Sequence, residues 1–263
     1  MKTVSLIIAF LISVASLSQQ TDFTVAAGAQ RTLTAAERTL SLKNLSLGDD
    51  CTIIIPASMD GWTVTATDVT IGRNVKIIGA GSNGVSGNSG SNGANGATCM
   101  NGGSGISGTN GSAGTAGKNI SLSLRIRKIE SLLINVTGGN GGNGGYGGLG
   151  GRGGNATCTC NAGMGGSGGN SGRGGSGGPG GTVKVLYSSF GTASVSNSNF
   201  IIQNIGGKGG MNGAAGTGGA GGLGGGCSDP KALTRTAGAA GRNGLQAPAS
   251  TKGADGVTTL QKQ

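Results

Sequence analysis

GGNGGNGGYGGLGGRGGN, residues 138–155, leaves two of every three positions without a side chain. Glycine recurs at every third residue in five other runs: 81–96, 102–117, 163–181, 207–225 and 238–256. The last is imperfect, with Ala247 and Ser250 on two of its glycine positions. A period of three is that of the polyproline II helix, which places every third residue on one face. A glycine face lets neighbouring chains approach until backbone N–H and C=O groups pair across the gap. Runs 138–153, 163–181 and 207–225 have two nearly bare faces and are expected inside. The other three have one and are expected at the periphery. The competing reading is disorder, because such composition buries little apolar surface. The similar lengths of the runs and the segments that punctuate them argue against it.

Those segments are β-like. Residues 38–78, 120–137 and 182–205 carry short stretches of alternating apolar and β-branched residues. Each ends on an apolar strand that leads straight into glycine: Lys76-Ile77-Ile78-Gly79, Ile134-Asn135-Val136-Thr137-Gly138 and Gln203-Asn204-Ile205-Gly206. The reading is a tandem unit of strands, run out, turn, run back. The expected fold is mostly β: strand segments forming a β-layer or β-solenoid, alternating with a bundle of six polyproline or polyglycine II helices. Helix is excluded outside the first residues, since glycine breaks every long enough window. The expected division is 1–18 as signal peptide, 19–78 as an N-terminal β region and 79–263 as the alternating repeats.

Lys2 followed by the apolar residues 4–17 reads as a secretory signal, with cleavage after Ser18 and a retained anchor as the alternative. The implied location is extracellular, with no stable membrane insertion after cleavage. The 263 residues carry 19 Lys and Arg against 9 Asp and Glu, a net charge of +10. The excess is spread thinly and aromatics make up only 3%, which excludes a nucleic-acid reading. Four of the five cysteines fall in turns between paired runs: Cys99, Cys158, Cys160 and Cys227. The expectation is that Cys99 bonds one of Cys158 or Cys160 and Cys227 bonds the other, closing the tip of the lobe. Cys51 is left as a strand thiol. With no histidine and no zinc-like spacing, neither a metal site nor a cofactor is expected.

Chemistry is sparse. The carboxylates are scattered, and the adjacent Asp49-Asp50 after Gly48 marks a turn rather than an acid–base couple. Gly117-Lys118 lacks the remainder of a phosphate loop. No enzyme is expected.

Six glycine runs stapled by cysteines resemble the springtail antifreeze proteins. The layered runs also resemble the tip adhesins of T-even-type phage tail fibres, and their alternation with strands resembles the N-terminal domain of Obg-type GTPases. The first resemblance implies a flat ice-binding array of small side chains, for which Ser82, Val85, Asn88, Ser91, Ala94 and Ala97 form a column. The favoured reading is a secreted, non-enzymatic surface or matrix protein that binds a glycan or cell surface. Tyr146, Leu149 and Arg152 share one column; packing against the β layer is their expected role, and they form a contact stripe if exposed. Ice binding is the rival function. Self-association into a fibre through exposed edges is the third.

Overall fold

The computed structural model describes residues 22–191, 194–225 and 234–263. The signal segment and Cys227 lie outside them. Among the described residues the regular structure is eleven strands and two single-turn 3-10 helices, Ala35–Glu37 and Asn197–Asn199; the strands are β1 (Asp22–Val25), β2 (Gln30–Thr32), β3 (Thr39–Leu47), β4 (Thr52–Ile54), β5 (Gly61–Ile71), β6 (Val75–Ile78), β7 (Asn119–Ile129), β8 (Leu132–Asn135), β9 (Val183–Ser189), β10 (Phe200–Gln203) and β11 (Thr258–Lys262). Odd strands form one six-stranded sheet in the order β1-β3-β5-β7-β9-β11. Even strands form a second, in the order β10-β8-β6-β4-β2. Every pairing is parallel. A parallel pair needs a long crossover. Here each crossover is the strand contributed to the opposite sheet, so the chain winds from sheet to sheet.

Alternation fixes which way each side chain points. Phe23, Leu45, Trp62, Val64, Ile120, Leu122, Val183 and Val185 face inward from the odd sheet; Ile53, Ile77, Leu132 and Ile134 face them from the even one. The outward face of the odd sheet is hydroxyl-rich, with Thr39, Thr63 and Ser121 in one register row and Ser41, Thr65 and Ser123 in another. Phe23 packs on Trp62 at 6.0 Å between ring centres. The Arg31 guanidinium lies 4.0 Å above the Phe23 ring, and it also pairs with Glu37.

The first turns of the winding repeat at 22 and 24 residues, as in the Asn44–Asp22 and Asn74–Asp50 side-chain bonds. Later turns are longer because a glycine excursion follows each of β6, β8 and β10. The excursions keep the sheet register. Ile77 pairs with Ile134 in the even sheet, and the same 57-residue offset joins Asn83 to Asn140 in the glycine lobe. Ile120 pairs with Val183 in the odd sheet, and the same 63-residue offset joins Ser107 to Asn170. Outgoing runs therefore continue the even sheet, and returning runs lead into the odd one.

This overturns the expected bundle of six polyproline II helices. The fold is two parallel sheets, and the glycine runs carry no helix or strand among the described residues. They are extended insertions whose alignment follows from sheet register. Both sheets also run across the 78/79 boundary, since β6 pairs with β8 and β5 with β7.

Lateral hydrogen bonds fill the lobe. Gly81 to Gly96 donate at every third residue to the run beginning at Gly138, from Gly81 N to Thr137 O at 2.8 Å through Gly96 N to Arg152 O at 2.7 Å. Within a pair the runs are antiparallel, as in Thr115 N to Ser82 O and Gly103 N to Ala94 O. Buried glycines concentrate in 138–154, 163–181 and 206–222, which place runs on several sides. The pattern's irregularities meet in space. Ser171 replaces a glycine in the fourth run, and its Oγ accepts from Ala247 N at 2.8 Å. Asn212 Nδ2 donates to the Ala247 and Pro248 carbonyls, while Ser250 Oγ donates to Gly210 O. Ser171 and Asn212 thus both meet Ala247, a departure from glycine on the facing run, whereas Ser250 meets a glycine.

Candidate binding faces of the glycine lobe

The lobe has two broad faces and two edges. Residues 83–95, 140–155 and 208–223, taken every third position, give one broad face three columns wide. Tyr146 is 63% exposed and Leu149 49% exposed on its middle column, next to exposed Arg152. The stripe therefore faces solvent, and packing against the β layer does not occur. Its backbone is pinned from the neighbouring run: Tyr146 N donates to Ser89 Oγ, Leu149 N to Asn92 Oδ1 and Arg152 N to Asn95 Oδ1.

The column Ser82, Val85, Asn88, Ser91, Ala94 and Ala97 lies on the edge formed by the first pair of runs, and all six residues are exposed. Thr109, Ser112 and Thr115 of the returning run face it. Their hydroxyls accept from the N–H groups of Asn88, Val85 and Ser82, each at 2.7 Å. The hydroxyls are thereby drawn against the backbone, leaving a low relief without charge. At the opposite edge, Asn243, Gln246 and Asp255 accept from Gly218, Ala215 and Gly206 N–H. Bonds from Lys252 and from Gly206 N–H hold the Asp255 carboxyl below its ordinary range.

Cys99 and Cys160 form a disulfide at the tip, with Cα atoms 5.9 Å apart. Cys158 is also disulfide-bonded; the expected bond of Cys227 lies outside the described residues. Cys51 is a buried free thiol, and burial pushes it up. Among the described residues no cluster of three or more His, Cys, Asp or Glu could hold a metal, and no helix is long and apolar enough to cross a membrane.

Sequence reasoning missed three features. One is the regular use of asparagine to cap backbone N–H groups, whose signal was the repeated Asn-Gly dipeptide. The second is a cleft of about 480 Å³ where the lobe returns into the odd sheet, lined by Arg38, Asp60, Trp62, Asn119 and Lys184. Its acid is paired with Arg38 at 3.2 Å. The third is Phe190, whose ring has the Arg125 and Arg127 guanidiniums 4.4 and 4.2 Å from its centre. Arg127 also forks onto Asp68 and holds that carboxyl below the usual range.

No protein-family model matches the chain, and no curated protein is similar to it. One solved structure to which it is weakly similar is a springtail antifreeze protein from Granisotoma rainieri, described as a bundle of nine polyproline type II helices. The identity is 28%, over 63% of this chain and 94% of that one, with a TM-score of 0.14. At that score the likeness carries neither a fold nor a site across.

Proposed function

We propose that this chain is a secreted, non-enzymatic protein that binds a surface glycan through the broad face carrying Tyr146, Leu149 and Arg152. The observation that carries this is the exposure of an aromatic ring, an aliphatic side chain and a guanidinium in one column on a support pinned at every third residue. An aromatic face packs against the C–H surface of a sugar while keeping its hydroxyl wet. Arginine and the Asn92 and Asn95 amide nitrogens add donors, the Asn oxygens being already engaged. A rigid support means little ordering cost on binding.

The test is binding of the purified protein to glycan arrays and to whole cells. Tyr146→Ala with Arg152→Ala is expected to weaken binding at least tenfold, about 1.4 kcal/mol, without loss of stability. Silence of the unaltered protein on both supports rejects the reading.

A second reading, ice binding, is favoured by the uncharged edge along Ser82, Val85, Asn88, Ser91, Ala94 and Ala97, where hydroxyls are held flat. In it, the unaltered protein shapes ice crystals and Val85→Lys abolishes the effect; unshaped crystals at sub-millimolar protein remove it.

A further inference from the structure

Nine asparagines are followed directly by glycine, eight of them within the glycine runs and Asn101 immediately before the second run. An Asn-Gly pair in a free chain is chemically fragile. Glycine carries no side chain to hinder its amide nitrogen from reaching the preceding asparagine side chain. In the lobe both reacting groups are engaged at all nine pairs. Each of the nine glycine N–H groups donates to a carbonyl of another run, at 2.7 to 3.0 Å. Each of the nine asparagine Oδ1 atoms accepts a backbone N–H from another run, at 2.8 to 2.9 Å.

In seven pairs the two bonds bracket a single residue. Asn92 takes the N–H of Leu149 while Gly93 gives its N–H to the Leu149 carbonyl. Asn143 and Gly144 hold Met211 in the same way. The dipeptide works as a two-point clamp on the next run, which explains its repetition.

We propose that these clamps are latent sites of succinimide formation, silenced by the folded lobe and armed when it opens. In the reaction the deprotonated glycine nitrogen attacks asparagine Cγ, a new C–N bond forms, and the Cγ–Nδ2 bond breaks to release ammonia. Water then opens the ring to aspartate or isoaspartate, with no change in oxidation state. The folded lobe opposes this by keeping the nucleophilic nitrogen protonated and bonded and by anchoring the side chain away from it. The consequence of opening is one-way. Each conversion adds a negative charge, and nine would nearly cancel the net +10. Isoaspartate also routes the main chain through Cβ, and the extra atom breaks the three-residue register that the ladder requires.

The experiment is peptide mapping by mass spectrometry after incubation in mildly alkaline buffer. The oxidised native protein is compared with the same protein reduced and held in denaturant. The expected result is conversion at all nine pairs in the denatured sample, and at least tenfold slower conversion in the native one. Equal rates overturn the proposal. A third sample, reduced without denaturant, tests the order. Asn95 and Asn101, which flank Cys99 at the tip, should convert before Asn83 and Asn140 near the sheets. Simultaneous conversion of all nine would overturn the tip-first order while supporting the gating itself.

Discussion

Gly145→Ala is expected to break up the lobe while the two-sheet body stays folded. Gly145 sits at the crossing of five runs. Its N–H donates to Thr109 O and its carbonyl accepts from Gly172 N. A Cβ at this position would overlap the Asn88 carbonyl, and Gly213 packs against the Gly145 carbonyl from the other side. No flexible side chain is present to give way, because the obstructing atoms are backbone. Overpacking together with the loss of neighbouring ladder bonds is expected to cost about 3 kcal/mol or more. Two controls separate this from a general effect of substitution. Gly225→Ala meets nothing closer than the Ala156 oxygen at 3.6 Å, and Tyr146→Ala removes an exposed side chain; each should stay within about 0.5 kcal/mol of the unaltered protein. Amide exchange reads the lobe. Fluorescence of Trp62, the sole tryptophan and buried between the sheets, reads the body. Unchanged protection across 81–256 in the alanine variant would refute the packing argument.

The second large effect is expected from Cys99→Ser. The Cys99–Cys160 bridge closes a loop of 61 residues, and its loss should remove about 4 kcal/mol by loop-closure entropy. Apart from the disulfide of Cys158, the lobe has little else to compensate, since the apolar core contains no residue of the glycine runs. Its ladder bonds replace bonds to water at a small net gain each, against the ordering cost of a glycine-rich backbone. The expected signature is a loss of lobe protection at denaturant concentrations where Trp62 fluorescence is still native. Coincident transitions by both probes would show instead that lobe and body unfold as one unit.

Much of this was legible in local sequence. Alternation in 120–128 and 182–187 announced strands, and the joins at Ile78, Val136 and Ile205 announced where strand gives way to glycine. Cys99 and Cys160 were placed in adjacent turns by counting runs. Other features were not legible, for stated reasons. Alternation tells a strand which way its side chains point but not which strand lies beside it, so the two parallel sheets were not foreseen. The three-residue period suggested polyproline II helices as the organising unit, because sequence alone does not show that the runs inherit their alignment from sheets at their roots. The outward aim of Tyr146 depends on which of three faces of its run meets a neighbour. The clamps depend on offsets of 57 to 68 residues, which become fixed only when whole turns of the winding stack.

By itself the sequence determined where the chain extends, where it has no side chains and where it turns, because these follow from the local chemistry of glycine, β-branched residues and cysteine. Only the tertiary structure decided which backbones lie side by side. That choice belongs to the register of the two sheets, where the pairings of Ile77 with Ile134, Ile120 with Val183 and Ile134 with Ile202 set the 57-, 63- and 68-residue offsets that the glycine lobe then repeats.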